Sequence, residues 1–431
     1  MSGAIPMLMI RLDVLIKIGL VFFCIFCIFI STPFAYSQQS DTTLQYAKRS
    51  ELDSLRTVID SLYIKIDMIR YQIGETNPFD SLLTTLEEEK DTSFIPEDQR
   101  SRRKQLDALL EYISQRPGQL FFNGQANVIL QGNLQRQERY STGVGSINLF
   151  ASSSFGNNTI LFVDLEAVGG NGPDEFSETI GSLNGDAGST QSEDGSDRIA
   201  VNEAWAEFLF LDNIFTITAG KIDLTNYFDN NAAANDENSQ FISGIFINNP
   251  AYVVPSNSPG IRFRTTILEK FYIQLAFAKA ENTGSKIFND IYKSAGFGFK
   301  LFPFTSFEAD LHVFGYTYPL VKDQYGFGVS MNQTIAQSFK IFGRVGNNEN
   351  TLADWYGIKT SWSAGAQFEE NLFGEPTIIG IAYGSIKPAD SSVKNEKSTE
   401  LYFQQLLNNW VSISTHLQHI WDTGGVNGRY K

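Results

Sequence analysis

The chain has 431 residues, 48 acidic against 33 basic, a formal charge of −15 and 42% hydrophobic residues. An acidic balance of this size argues against nucleic acid as a partner, since that recognition needs a basic surface. The only two cysteines, Cys24 and Cys27, share one N-terminal apolar run. Once that run is removed, disulfides and thiolate sites are excluded.

Residues 1–37 read as a secretory signal. Arg11 and Lys17 give the positive flank, Leu15 to Ile30 the apolar run, Pro33 the break, and Ala35-Tyr36-Ser37 the small residues of a cleavage site. A membrane anchor is the alternative, but a spanning helix needs about 20 apolar residues and Lys17 interrupts this run near its start. Residues 38–74 form the next unit. After a polar start, Leu52, Leu55, Ile59, Leu62, Ile66, Ile69 and Ile73 follow a 3-4-3-4 spacing among charged residues, the seam of a coiled coil. Isoleucine at both later seam positions favours a trimer over a dimer, although such a helix can also lie on its own protein. Residues 75–117 are a polar linker and a short helix near 97–115, whose Arg100, Arg102, Arg103 and Lys104 read as a solvated helix start.

At Pro117-Gly118 the period changes from 3.6 to 2. From Leu120 to Leu134 every even position is apolar or Gly, and the odd positions are mostly Asn and Gln. Side chains alternate faces along a strand, so this is a strand with one apolar and one amide face, longer than the roughly 5–6 residues usual in soluble sheets. Fourteen similar segments follow at 143–155, 159–169, 200–210, 214–223, 260–268, 271–281, 294–302, 307–317, 325–334, 338–346, 358–370, 376–387, 398–407 and 411–421. Short turns such as Gly156-Asn157-Asn158 and Asp212-Asn213 alternate with long polar stretches such as 170–199 and 224–259, the pattern of an outer-membrane β-barrel. The expected fold is therefore all-β, an antiparallel transmembrane barrel over 118–431 preceded by a helical coiled coil. Single-chain bacterial barrels close with an even number of strands, so fifteen segments imply about 16 strands: one more lies in 241–254, whose prolines and asparagines favour a loop, or the last strand is missing or poorly specified. The acidic stretch 170–198 reads as a solvated loop, because its spacing fits no EF-hand.

Two segments carry a family resemblance. GKIDLTNYFDNNAAANDENSQFISGIFINNPAYVVPSNSPGIRFR, from Gly220 to Arg264, resembles the signature region of carbohydrate-selective porins of the OprB type. There, a Gly-basic-x-Asp strand end leads through an Asn-rich loop to a Pro-Gly strand entry. TELYFQQLLNNWVSISTHLQHIWDTGG, from Thr399 to Gly425, is similar to that family's closing strands. The resemblance implies a 16-stranded outer-membrane barrel, often trimeric, through which sugars and other small solutes diffuse. It departs at the C-terminus, where the family adds a strand, and in the coiled-coil preface.

Porins do no covalent chemistry, and their selectivity comes from pore width and lining groups. The period-2 reading places Asp164, Glu166, Glu203, Trp205, Glu207, Lys221, Asp223, Arg262, Arg264, Glu308, Asp310, Lys340 and Arg344 on the polar face. Any of these charges can equally be a ladder that holds the wall, whereas a pore-facing Trp205 would stack on a sugar ring. Asn231, Asn235 and Asp236 are candidates for a loop folded inward, although short polar side chains also suit turns on their own account. No catalytic motif, metal-ligand set or cofactor is expected: GxSxG, HExxH and phosphate-loop patterns are absent. His416 and His419 lie three apart on a strand and so face opposite ways. The expected partners are outer-membrane lipid, further copies of the chain and small hydrophilic solutes. The competing readings are a non-conducting envelope tether and an anion or phosphate channel.

Overall fold

The computed structural model describes residues 118–429, apart from short stretches at 135–138, 157, 177, 187–196, 212, 268–269, 282–285, 303–306, 323, 336–337, 373–374 and 409. The signal segment, the coiled-coil seam and the linker lie outside the described residues. Alternation of apolar with amide or small polar residues produces fifteen strands. They are β1 (Leu120–Gly132), β2 (Ser141–Phe155), β3 (Thr159–Asn171), β4 (Arg198–Phe210) and β5 (Phe215–Ile222). Next come β6 (Ser258–Ile267), β7 (Phe271–Lys279), β8 (Ile291–Leu301), β9 (Ala309–Tyr318) and β10 (Gln324–Ile335). The last are β11 (Phe339–Asn348), β12 (Ile358–Leu372), β13 (Glu375–Pro388), β14 (Glu396–Asn408) and β15 (Val411–Trp421). Each of the fifteen segments expected from alternation is one of these strands.

Every strand pairs antiparallel with its neighbour in sequence, so the sheet is one unbroken meander. Its connections sort by end. Those at 156–158, 211–214, 268–270, 302–308, 336–338, 373–374 and 409–410 lie at one end. Those at 133–140, 172–197, 223–257, 280–290, 319–323, 349–357 and 389–395 lie at the other. The second set holds the two longest, as in outer-membrane barrels.

An odd number of antiparallel strands leaves β1 and β15 running in the same direction, and among the described residues no ladder joins them. The sheet nevertheless curls far enough for Gln131 Nε2 on β1 to reach Gln418 Oε1 on β15 at 3.5 Å. Leu183, in the 172–197 connection, bridges the same gap: its carbonyl accepts from Gln131 at 3.2 Å and from Gln418 at 3.1 Å.

The two faces differ. Outward lie exposed apolar side chains, among them Val128 and Leu130 on β1, Phe299 on β8, Phe339 on β11 and Ile381 on β13. Aromatic residues gather near both ends of this face. Phe271 and Phe299, 4.9 Å apart between ring centres, lie near the short connections. Trp362, Tyr383 and Trp421, at 5.5 and 6.1 Å, lie near the long ones. The inner face carries most of the buried polar groups. Gly220 lets β5 pair closely with β4: its φ of +145° and a would-be Cβ 2.2 Å from Ala204 O admit no side chain. Among the described residues no helix is long and apolar enough to cross a membrane, which says nothing of strands.

Candidate functional site

The β5–β6 connection, 223–257, folds over the inner face and is fastened to strands on opposite parts of the sheet. It contains two short helices, α1 (Thr225–Phe228) and α2 (Gly244–Ile247). Backbone that leaves water must find other partners for its N–H and C=O groups, and inward-facing side chains supply them. Arg344 on β11 donates to Phe246 O at 2.5 Å, Asp229 O at 3.0 Å and Asn235 Oδ1 at 3.2 Å. Its Nε lies 3.3 Å from Asp229 Oδ1, with both side chains almost wholly buried. That contact is an ion pair by distance rather than an aligned hydrogen bond, since neither atom has a hydrogen-bond partner. Glu400 on β14 accepts from the backbone of Ile242 at 2.9 Å and Ser243 at 3.0 Å. On β9, the Tyr316 hydroxyl donates to Ala251 O at 2.6 Å and accepts from Val253 N at 3.1 Å. Ser361 on β12 bonds Asn249, and Asn127 on β1 donates to Asn238 at 3.0 Å.

Apolar packing completes the fastening. Phe241 sits among Phe246, Phe342 and Tyr402 at 4.9–5.7 Å, and Tyr252 packs on Phe314 and Tyr316 at 4.6 and 5.2 Å. Two buried apolar clusters result. One joins the loop to β3, β4 and β7–β9, the other to β11–β14.

The inward-loop candidates fall within this stretch. Asn231 donates to Ser330 Oγ at 3.2 Å and Met331 O at 2.9 Å, so it ties the loop to β10. Asn235 meets Arg344, whereas Asp236 holds the loop to itself by accepting from Asn238 N and Ser239 Oγ.

The acidic candidates gather on β3 and β4. Asp164 accepts from Asn148 at 3.5 Å and Asn202 at 3.3 Å, and Glu166 beside it is likewise buried and engaged. Glu203 accepts from Trp205 Nε1 at 3.0 Å and Asn226 at 3.2 Å. Glu207 accepts from Thr218 at 2.7 Å and Arg262 at 3.1 Å. Arg262 also bonds Gln274 and lies 3.9 Å over the Tyr227 ring, so it is closed off on every side. Asp223 accepts from the Thr225 backbone and hydroxyl at the start of α1. Lys340 is buried and engaged, Asp310 and Arg264 are half-buried, and Glu308 lies just ahead of β9.

Two expectations need correction. Trp205 does face inward, but only 4% of it is exposed and its ring stacks on Phe162 at 4.9 Å, so it offers no free face to a sugar. Lys221 lies on the opposite face from Glu203 and Arg262. In β5 the inward residues are Thr216, Thr218 and Ile222, and Lys221 pairs with outward Ala204. The reason is that the loop roofs the inner face with Leu224 and Tyr227, and Ile222 is buried in that apolar cluster.

Other residues were not evident from alternation. Glu400, Gln274 and Tyr316 serve a loop distant in sequence, and Asp229, inside that loop, meets the distant Arg344, so no local signal marks their role. Lys300 does have one: Gly296, Gly298 and Lys300 occupy one face of β8. Of the two late histidines, His416 faces inward, its Nδ1 2.8 Å from Glu400 Oε1, while His419 packs against Trp421 at 4.3 Å. They lie on opposite faces, as strand geometry requires.

No protein-family model matches the chain. An uncharacterized protein of Aquifex aeolicus (strain VF5) is 30% identical over 207 residues, 48% of this chain, and the chain spans 59% of that relative's length. Among solved structures, the high-pH structure of Pseudomonas putida OprB superposes with a TM-score of 0.60 at 12% identity, covering 75% of this chain and 92% of that one. The low-pH structure of the same protein gives 0.49 at 12% identity, with 76% and 95% covered. A mutant of Rh. blastica porin gives 0.42 at 11%, with 72% and 97% covered. At these identities the likeness of the first concerns the fold alone, and on that ground the meander with its inward loop is a porin-like fold.

Proposed function

We propose that this chain is an outer-membrane porin that lets carbohydrates and other small hydrophilic solutes diffuse passively across the membrane. The observation that carries this reading is a meander of membrane-length strands, apolar outside, whose inner face is crossed by one long loop fastened to β9–β12 and β14. Strands of about 9–11 residues span a bilayer, and aromatic residues near both ends of the outer face suit its two interfaces. A loop bolted across the interior narrows any passage to a size at which its lining discriminates among solutes. Uncharged groups on the inner face that are not buried, such as the Gln125 amide and the Ser414 hydroxyl, suit sugars, which offer hydroxyls and no charge.

The working unit in this proposal is a homotrimer. Its coiled coil (38–74) is periplasmic in this proposal, after removal of residues 1–37. Several outward positions on β2–β4 are small, Gly143, Gly145, Ala167, Ala204 and Ala206, set among larger apolar residues such as Ile147, Leu149 and Leu165, a mixed surface on which a neighbouring wall can pack. Solute contacts in the passage fall to the inner-face charges that the loop leaves uncovered. Liposome swelling with sugars of increasing size tests the reading: rates should fall steeply with solute size. Folded protein that leaves liposomes impermeable to every sugar would overturn it. Such a result would favour the envelope tether, which the two apolar clusters filling part of the interior support.

A further inference from the structure

The inner-face cations divide into two kinds. Arg262 and Arg344 are closed off by carboxylates and by the loop, but Arg264 and Lys300 have no carboxylate partner among the described residues. Arg264 lies two residues beyond Arg262 on the same face of β6, and its Nε is buried with no hydrogen-bond partner. Its guanidinium carbon stands 4.5 Å over the Tyr272 ring, a contact that holds the group flat without neutralising it.

Tyr272 is held in turn by what β8 lacks. A Cβ on Gly298 would stand 2.2 Å from the Tyr272 ring, so glycine there leaves the tyrosine room to lie across β8 and bond His312 Nδ1 on β9. Lys300 is two residues beyond Gly298 on that face. Arg264, Lys300 and Arg344 all stand near enough to His312 to act on it electrostatically. Of the carboxylates nearby, Asp310 is in register with Lys300 and already engaged, and Glu308 lies beyond the strand end. Arg264, Tyr272, Lys300 and His312 all lie close to the short-connection ends of β6–β9, and the loop is fastened beside them, through Gln274 in register with Arg264 and Ser330 in register with His312.

We propose that Arg264 and Lys300 form an oxyanion site beside the inward loop, near the short-connection ends of β6–β9, and that its ligand is a small sugar acid held by its carboxylate. The choice of a sugar acid rests on the carbohydrate reading above, while the site itself rests on the two unpaired cations. A planar guanidinium with free donors matches a carboxylate in shape and charge. Its preorganisation on Tyr272 lowers the ordering cost of binding.

Calorimetric titration of the folded protein in detergent, with gluconate and with glucose, tests this without requiring conduction. The wild type should bind gluconate more tightly than glucose. Replacing both cations (Arg264→Gln with Lys300→Gln) should weaken gluconate about tenfold or more, the worth of charge-assisted hydrogen bonds, and leave glucose unchanged. Arg264→Lys, which keeps the charge, should recover part of the loss, and heat-modifiable gel mobility verifies that each variant is folded. Gluconate binding no tighter than glucose in the wild type, or unchanged in the double variant, overturns the site. A folded protein that binds gluconate yet opens no channels would instead overturn the porin reading and leave the site standing.

Discussion

Arg344→Ala is the perturbation that separates the loop from the wall most cleanly. With 3.3 Å between Arg344 Nε and Asp229 Oδ1, Coulomb attraction is worth about 5 kcal/mol at an effective dielectric of ~20, much of it offset by the cost of burying both charges. Truncating one partner leaves the other buried and uncompensated, which costs about 3–5 kcal/mol. The three further bonds to Phe246 O, Asp229 O and Asn235 Oδ1 go with it. None of these belongs to the strand ladder, so the loss should fall on loop docking and leave the wall folded. Amides that exchange through loop release should then speed up about a hundredfold, equivalent to ~3 kcal/mol. Hydrogen exchange over residues 229–251 reads this directly, with Asn249 N, held by Asp229 at 2.6 Å, as the most telling amide. Adding Asp229→Asn to Arg344→Ala should restore part of the protection, because the stranded charge is gone. Unchanged exchange across the loop in a folded Arg344→Ala variant would refute the view that this pair bolts it down.

Three other expectations follow from the same geometry. Glu400→Leu should unlock the loop locally, because the Ile242 and Ser243 amides lose their acceptor at about 1–3 kcal/mol for a buried unmet donor, visible as faster exchange at those two amides. Phe241→Ala should lower stability by about 3–5 kcal/mol in denaturant titrations, since its ring meets Phe246, Phe342 and Tyr402 at once. Cysteines at Gln131 and Gln418 should be joined by a short bismaleimide, because the wild-type side chains meet at 3.5 Å; absence of cross-linking would mean the sheet is more open than described.

Much of the wall was legible because it follows a local rule. Exposure of one face to an apolar surrounding and of the other to a polar interior imposes a period of two over each strand. The run from Leu120 to Gly132 shows this without help from its partners. Ile222 and Trp205 broke that rule for one reason. The inner face is partly roofed by a loop, so inward positions beneath it want apolar side chains, and a charged neighbour such as Lys221 turns outward. The Asn-rich stretch from Asn230 to Asn235 read as turn or inward loop because short polar side chains suit both. Only contacts distant in sequence, Asn231 with Ser330 and Arg344 with Asp229, distinguish the two. The difference between Arg262 and Arg264 was likewise invisible to alternation. Both face inward, but only the three-dimensional arrangement puts Glu207 and Tyr227 against the first and leaves the second with no carboxylate partner among the described residues.

Single-channel recording of the folded protein in planar bilayers, with and without added glucose- or maltose-type sugar, tests the central claim most directly. Discrete openings whose current falls as sugar is added are predicted, in triplets if the trimer is the working unit. Folded protein that inserts and never opens would contradict the account.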